Sequence, residues 1–306
     1  MAYLTIFTAP KPFTNPQIDI IQRNAIRCWK NLDDVEVILI GNEDGMAEIS
    51  AELGVRHLPD VAHSEWGTPL VSSMFHLARE AVDSPLLMCA NADMLFLPDL
   101  VTSARTVASQ QDAFLVIGQR WDLDVTHIID FNEGWDKRLR QRVYAHGKLH
   151  LPAGSDFFIF KRTMFLDMPD FAIGRSGWDN WMIYHTLKQG LHTIDATQSI
   201  TAIHQNHDYS HLPGGMPHHN HEESHRNIML AGGAQNLFTV LDTDRQLRDG
   251  QILLPKMTLL RLLRTAERRC MPFEDNSEQK HDRKVIVKKW LARRFRRLRR
   301  RIMGSL

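Results

Sequence analysis

Residues 85–99 read PLLMCANADMLFLPD, an apolar run that is interrupted by Asn91, Ala92 and Asp93. A continuous apolar run bounded by prolines predicts a strand buried on both faces, as in the centre of a parallel sheet. Side chains two residues apart point the same way on an extended chain. Asn91 and Asp93 can therefore face one cation or one ribose at the end of the strand, where open α/β sheets bind ligands. The alternative is that Asp93 begins a turn and caps a helix after Pro98, and the spacing alone does not decide between the two.

Strand and helix patterns alternate through the first 120 residues. This alternation predicts right-handed crossovers and a Rossmann-like α/β fold, with a mostly parallel sheet flanked by helices. Beyond residue 120 the pattern is looser, and residues 205–225, rich in His, Gly and Pro, are predicted to be loop. The predicted strands are Tyr3–Thr8, Val35–Ile40, one beginning near Leu86, Ala113–Ile117, Phe157–Phe160 and segments within Thr193–His204. The predicted helices are Pro16–Trp29, Gly45–Leu53, Thr68–Ala81, Asp99–Ser109, Glu133–Ala145, Trp178–Leu187 and Glu222–Leu230.

Composition and cysteine usage indicate the compartment. With 306 residues, of which 43% are hydrophobic and 24% charged, the chain can bury a substantial core in one large domain or two. The three cysteines are widely spaced, and Cys28 and Cys89 lie in apolar segments, which predicts buried thiols and a reducing compartment. Met1–Phe7 lacks the basic start and apolar core of a signal peptide, and no apolar stretch approaches the ~20 residues of a membrane span. We therefore expect a cytoplasmic protein.

The charge is divided unevenly along the chain. Residues 281–306 hold 11 of the 37 basic residues and one of the 36 acidic residues, which leaves 26 basic and 35 acidic residues, a net charge of −9, in residues 1–280. Within residues 283–306 apolar side chains recur at helical spacing, which predicts a basic amphipathic helix suited to an anionic membrane surface. The alternative is a solvated tail with incidental nucleic-acid affinity, and no specific nucleic-acid partner is predicted. The apolar positions are Val287, Leu291, Phe295, Leu298 and Ile302, with Trp290 beside them.

Residues 174–181, GRSGWDNW, bring two glycines and a serine to a predicted helix start. Asp179 then lies in the first turn, and Trp178 and Trp181 stand three residues apart on one face. Aromatic rings can cover the apolar face of a sugar, and a carboxylate can accept a hydroxyl proton. The alternative is a helix-capping Asp with two core tryptophans.

Residues 203–211, IHQNHDYSH, follow a predicted strand and begin a run of seven histidines that ends at residue 225. His204, His207 and Asp208 offer imidazole and carboxylate ligands for Mn, Fe or Zn. Their spacing lacks the HExxH signature of zinc proteases. One or two of these first three residues are therefore candidate metal ligands, and most of the later histidines are expected to be loop.

Polar residues also follow the first two predicted strands. Residues 8–13, TAPKPF, end the first strand in a rigid basic loop, and residues 43–45, EDG, end the second. The chain has no P-loop and no GxGxxG motif, which argues against a mononucleotide kinase and a dinucleotide dehydrogenase. Residues 154–156, GSD, precede an aromatic strand and offer a further polar contact, with an ordinary turn as the alternative.

These motifs together resemble the GT-A class of nucleotide-sugar glycosyltransferases, and more closely a group of glycosyltransferases found in bacteria and plants. The resemblance covers roughly residues 3–242. It rests on residues 8–13, 67–70, 91–93, 153–156, 174–181 and 203–211, the last three being the most specific.

The class implies a single GT-A domain with an Asp-X-Asp motif that binds a divalent ion and the diphosphate of the donor. By this resemblance Asn91 and Asp93 occupy that motif, with Asn91 in place of its first Asp, and Asp179 is the catalytic base of an inverting enzyme. The implied metal ligands for Mn²⁺ or Mg²⁺ are Asp93, His204 and His207. The predicted donor-binding residues are Thr8, Ala9, Pro10, Lys11, Glu43, Asn91 and Asp93. The predicted acceptor-binding residues are Ser155, Asp156, Trp178 and Trp181.

The leading hypothesis is a cytoplasmic, peripherally membrane-associated glycosyltransferase, metal-assisted and inverting, that acts on a glycan or lipid-linked acceptor of the cell envelope. One alternative is a metal-dependent hydrolase built on the cluster His204–His211, and another is a non-catalytic nucleotide- or sugar-binding module. The predicted organisation is a GT-A-like domain at 1–245, a helical extension at 246–273, a linker at 274–282 and the basic helix at 283–306.

Overall fold

The computed structural model describes residues 1–207, 221–271 and 283–304. Strands in these residues form one sheet of nine and one of four. The strands are β1 Leu4–Thr8, β2 Val35–Ile40, β3 Arg56–Leu58, β4 Leu86–Ala90, β5 Met94–Phe96, β6 Phe114–Ile117, β7 Trp121–Leu123, β8 Lys148–Leu149, β9 Phe157–Lys161, β10 His192–Asp195, β11 Ala202–Gln205, β12 Arg245–Arg248 and β13 Gln251–Leu253. The helices are α1 Pro16–Lys30, α2 Met46–Leu53, α3 Val71–Ala81, α4 Asp99–Ala108, α5 Trp135–His146, α6 Trp178–Lys188, α7 Glu222–Leu230, α8 Leu259–Arg269 and α9 Arg283–Gly304.

The large sheet has the order β13-β12-β10-β6-β9-β4-β1-β2-β3. Its pairs are parallel except where β9 lies between β4 and β6 and where β13 borders β12. Helices cover both faces. The predicted fold class, a mostly parallel α/β sheet flanked by helices and followed by a basic helix, is therefore confirmed.

β4 lies inside this sheet and is buried on both faces, as its apolar sequence predicts. Leu86 and Met88 on one face belong to a core cluster with residues of α1, α2, α4 and α5. Leu87 and Cys89 pack against α3 and α6 on the other face. Cys89 and Cys28 are both buried free thiols, which confirms the sequence prediction of buried cysteines.

Local sequence sets the ends of the first two helices. The side-chain oxygen of Asn15 accepts hydrogen bonds from the backbone N–H groups of Gln17 and Ile18 and caps α1. Pro16 occupies a position where a helical N–H has no partner. α2 ends where Gly54 takes a φ of 60°, a left-handed conformation that favours glycine. α3 begins at Val71, three residues after its predicted start.

The small sheet, in the order β5-β11-β7-β8, begins where β4 ends. Only residues 91–93 separate β4 from β5. β11 pairs antiparallel with β5 and parallel with β7. This pairing brings a segment more distant in sequence to the carboxyl end of β4, where the candidate site lies.

The prediction that residues 246–273 form a helical extension is wrong for the first part of that range. β12 and β13 form a hairpin, and its turn residues Asp249 and Gly250 have φ values of 51° and 74°. Positive φ at both central positions is typical of a tight hairpin turn. β12 also extends the large sheet beside β10, so the sheet continues past the predicted boundary at residue 245. The predicted linker 274–282 lies outside the described residues.

α9 confirms the predicted basic helix as far as Gly304, the last residue described. It packs on α8 through Arg296 and Arg299, which both donate to Glu267. Within the described ranges, no helix has both the length and the apolar character needed to cross a bilayer.

Candidate functional site

The loop after β4 carries Asn91 and Asp93 at the position that the sequence predicts. The two side chains nevertheless have different partners. The Asn91 side-chain amide donates to Asp156 Oδ1 at 2.8 Å, and the Asn91 backbone N–H donates to the Asp156 carbonyl at 3.0 Å. Asp93 instead faces two histidines.

The pairing of β11 with β5 brings those histidines to Asp93. His204 lies opposite Met94 in this register. His207 Nε2 lies 3.1 Å from Asp93 Oδ2, and His204 Nε2 lies 3.6 Å from the same oxygen. One ligand atom of each residue lies within 4.8 Å of the others. The three residues expected to bind a metal are thus brought together.

The buried polar atoms of this triad fit a bound cation. Asp93 Oδ1 is buried and has no hydrogen-bond partner among the described residues, and such an atom is costly unless something satisfies it. His204 Nδ1 is also buried without a hydrogen-bond partner among the described residues, and it lies 3.5 Å from Asp122 Oδ1, on the side of the ring where a carboxylate can orient a metal-binding imidazole. Imidazole ligands suit transition metals, whereas Mg²⁺ prefers oxygen, so the ligand set favours Mn²⁺ over Mg²⁺.

The electrostatics of the triad keep Asp93 ionised. Burial opposes its charged form, but hydrogen bonds from His204 and His207 and their charges outweigh burial and hold the pKa of Asp93 well below its usual range. An ionised carboxylate is the form that binds a metal ion.

Arg120 connects the metal triad to Asp156. It donates to Asp156 Oδ2 at 2.6 Å and to Asp122 Oδ1 at 3.0 Å. Asp122 also contacts His150 Nδ1 at 2.7 Å. Sequence reasoning missed Arg120, Asp122 and His150, although Arg120 follows the buried strand β6 by three residues, as Asp93 follows β4.

Asp179 lies in the first turn of α6, as predicted. Gly177 has a φ of 117°, and its backbone N–H donates to Asp179 Oδ1 at 3.3 Å. Burial, together with the nearby negative charge of Asp156, raises the pKa of Asp179 to about 6. A methyl group on Gly154 would lie 3.4 Å from Asp179 Oδ2, so the backbone of Gly154 passes close to this oxygen. Because its pKa is raised, Asp179 is a more basic carboxylate than an ordinary aspartate.

Three of the predicted acceptor-binding residues have structural roles in this fold. Trp178 packs on Phe158, with ring centroids 5.3 Å apart, and Trp181 packs on Phe171 at 5.3 Å. Both tryptophans are buried in the core, so their rings are not open to a sugar. The prediction is corrected for them because the apolar face of α6 is covered by Phe158 of β9 and by Phe171, which lies outside the strands.

The prediction that Ser155 binds the acceptor is also corrected. Its hydroxyl donates toward the carbonyl oxygens of Gly118 and Phe157, each at 3.0 Å, and accepts from the Gly118 N–H. This side chain joins the loop after β6 to the start of β9 and is buried. Asp156 is the one acceptor-binding candidate whose side chain lies in the site.

The predicted donor-binding residues Thr8, Ala9, Pro10 and Lys11 follow β1, and Glu43 follows β2. Because β4, β1 and β2 are parallel neighbours, these loops meet at the same edge as Asp93. The Phe13 N–H donates to the Asp44 carbonyl at 2.8 Å and ties the two loops together.

The members of this group differ in exposure and charge. Thr8 and Pro10 are buried, whereas Ala9, Lys11 and Glu43 are half-buried. Burial lowers the pKa of Lys11, while the charge of Asp93 opposes that shift, which places an ammonium within the field of the metal triad.

Glu223 of α7 binds Arg175, in the loop that leads to Asp179. Glu223 is fully buried and accepts hydrogen bonds from Ser64 at 2.6 Å, Thr68 at 2.9 Å and Arg175 at 2.8 Å. Burial opposes ionisation of Glu223, but these three hydrogen bonds outweigh it and lower its pKa. The motif residues Thr68 and Arg175 are therefore joined by one carboxylate. Asp208 and His211 of the histidine motif lie outside the described residues.

Comparison with known proteins gives only structural likenesses. No family model and no curated protein matches the chain. The mannosyltransferase PcManGT from Pyrobaculum calidifontis, in complex with GDP-Man and Mn²⁺, is 11% identical with a TM-score of 0.44, over 68% of this chain and 58% of that one. Glucosyl-3-phosphoglycerate synthase from Mycobacterium tuberculosis, in complex with Mn²⁺, UDP and glucosyl-3-phosphoglycerate, is 13% identical with a TM-score of 0.45, over 84% and 88% of the chains.

These neighbours are GT-A-type glycosyltransferases, the class that the sequence motifs resemble. The likeness is one of backbone fold. The present protein spans only 58% of the length of the mannosyltransferase. The functional proposal rests on the residues of the site itself.

Proposed function

We propose that the protein transfers a sugar from a nucleotide-sugar donor to an acceptor hydroxyl. The observation that carries this proposal is the convergence of Asp93, His204 and His207 at the carboxyl end of β4. Asp179, a carboxylate with a raised pKa, is coupled to the same network through Asp156.

Asp93, His204 and His207 would hold a divalent ion, Mn²⁺ in preference to Mg²⁺. When bound, the ion would supply positive charge for the diphosphate that leaves the sugar. Asp122, 3.5 Å from His204 Nδ1, would orient the His204 ring once the ion is bound. Lys11, on the loop after β1, would add a second positive charge on the donor side.

Asp179 would act as the catalytic base. The acceptor oxygen attacks the anomeric carbon and forms the new glycosidic bond, the bond from that carbon to the diphosphate breaks, and Asp179 takes the hydroxyl proton. A single direct displacement of this kind inverts the anomeric configuration. Asp156, held by Arg120 and Asn91, would contact the acceptor.

The basic helix α9 suggests where the acceptor is found. Its arginines and lysines are suited to an anionic membrane surface. We propose that the protein is cytoplasmic and peripherally attached, and that its acceptor is a lipid-linked or cell-envelope glycan.

The proposal is tested by release of nucleoside diphosphate from UDP-, GDP- and dTDP-sugars, and of CMP from CMP-sugars, in the presence of Mn²⁺. We expect the protein to turn over one donor. Without an acceptor this turnover should be slow, because water takes the place of the acceptor hydroxyl. Asp93→Ala should lose this activity by at least ~100-fold, the scale on which loss of one charge-stabilising group acts.

The matched control is Asp83→Ala, whose side chain is 75% exposed and precedes β4, whereas Asp93 follows it, and this variant should keep full activity. Tight nucleotide binding without any turnover would identify a binding module. Zn²⁺-dependent hydrolysis of substrates without a nucleotide would identify a hydrolase.

A further inference from the structure

α8 is an amphipathic helix whose buried side carries charged residues beside Leu263, while two of its four leucines are exposed. Arg261 and Arg264 point into the protein and are 8% and 6% exposed, whereas Leu259 and Leu262 are 58% and 51% exposed. Surface helices ordinarily bury leucine and expose arginine. This helix therefore turns an apolar face to the solvent.

Buried hydrogen bonds fix α8 in this orientation. Arg264 Nε donates to Asp242 at 2.9 Å. Arg261 donates to the carbonyl oxygens of Leu241 and Thr243 at 3.1 and 3.0 Å. Rotating the helix to bury Leu259 and Leu262 would leave these charged groups without partners, at high cost. The outward position of the leucines is thus built into the fold.

Leu259 and Leu262 are two of four large apolar side chains exposed between residues 254 and 262, which we call the outward apolar face and define as Leu254, Met257, Leu259 and Leu262. Leu254 and Met257, just before the helix, are 75% and 65% exposed. Scattered exposed apolar residues are ordinary, but four large ones within nine positions indicate an interaction surface.

α9 adds positive charge to the same part of the molecule. The fully buried Glu267 of α8 accepts from Arg296 at 2.7 Å and from Arg299 at 3.0 Å, which holds the two helices together. α9 contains no acidic residue. Exposed apolar side chains occur here as well, at Ile286, Val287 and Trp290.

We propose that the outward apolar face enters the interface of an anionic lipid bilayer, with α9 supplying the electrostatic attraction. This inference rests on the membrane attachment proposed above and assigns its apolar anchor to α8 in addition to α9. Stable attachment ordinarily needs two signals, an apolar insertion and a basic patch, and both are present here. A second copy of the chain fits less well, because a symmetric contact would bring two α9 helices of like charge together.

The test is sedimentation of the full chain with vesicles of phosphatidylglycerol and phosphatidylcholine in equal parts, and with phosphatidylcholine alone. We expect binding to the anionic vesicles only. Leu259→Gln/Leu262→Gln keeps helix-forming residues and should weaken that binding at least ~10-fold, since two half-exposed leucines no longer enter the lipid. The matched control Leu166→Gln/Met229→Gln, at exposed apolar positions outside α8 and α9, should bind as the wild type does.

Unchanged vesicle binding of the Leu259/Leu262 variant would overturn the inference. So would a wild-type dimer, seen by light scattering, that becomes a monomer in the variant, because the face would then be a protein interface. Nucleotide release in the absence of lipid separates this inference from the enzymatic proposal. The Leu259/Leu262 variant should release nucleotide as fast as the wild type does. If the wild type itself releases none, the enzymatic proposal fails, while vesicle binding still tests the membrane inference.

Discussion

Replacing Asp179 with Asn should stabilise the fold at alkaline pH while removing turnover. Burial raises the pKa of Asp179 from 3.8 to about 6. The folded state therefore binds this proton more tightly than the unfolded state, and the wild type loses stability as the pH rises through that interval. At ~1.4 kcal/mol per pKa unit, the ionised side chain costs about 3 kcal/mol. Asp179 is half-buried, and its partial exposure to solvent reduces this cost to about 1–3 kcal/mol.

Asn carries no charge, so the variant avoids this cost and still accepts the hydrogen bond from the Gly177 N–H. Urea unfolding should show equal stabilities below about pH 4 and a more stable variant at pH 8. Turnover should fall by ~10²–10⁴-fold, the usual effect of losing a general base. Asp83→Asn, at an exposed position, should change neither quantity. A variant that is less stable at pH 8, or whose advantage does not depend on pH, would refute the reasoning.

Three further outcomes follow from the same geometry. The acid limb of the kcat/KM profile should lie near pH 6, with activity rising as Asp179 ionises, and a limb near pH 4 would indicate another base. Gly177→Ala should destabilise the fold by ~1–3 kcal/mol in urea unfolding, because φ is 117° at Gly177 and alanine is strained in that conformation. A variant as stable as the wild type would contradict this prediction. Arg120→Met should cost ~1–3 kcal/mol in urea unfolding, because Asp156 and Asp122 lose their half-buried cationic partner. Unchanged unfolding would contradict this stabilising role of Arg120.

The strand that leads to Asp93 could be predicted from its sequence alone. β4 is apolar at every position because both faces are covered, and its polar residues begin where the strand leaves the sheet. The same reasoning applied to β6 would have found Arg120, three residues after Ile117. Residues that follow buried strands therefore include site residues, such as Arg120, that none of the motifs contains.

The meeting of His204 with Asp93 could not be predicted from residue patterns. It depends on the antiparallel pairing of β11 with β5, two short strands far apart in sequence. Only the family resemblance implied that these residues share a metal.

Helical spacing placed Trp178 and Trp181 on one face but could not decide what covers that face. Phe158 and Phe171 cover it, and both tryptophans are core residues. The hairpin at 245–253 did carry a signal, the pair Asp249-Gly250, which is typical of a tight turn between strands. Its short, polar strands did not show the alternation that predicts a strand.

The central claim is that Asp93, His204 and His207 bind a metal ion that serves a nucleotide-sugar. The most direct measurement is the thermal shift of the wild type and of Asp93→Ala with UDP-, GDP-, CMP- and dTDP-sugars, with and without Mn²⁺. A ligand at ~100 times its Kd stabilises a protein by ~2.7 kcal/mol, a visible shift. We expect one nucleotide to stabilise the wild type, more strongly with Mn²⁺, and to lose this effect in Asp93→Ala. No shift with any nucleotide, together with a large one for Zn²⁺ alone, would contradict the account.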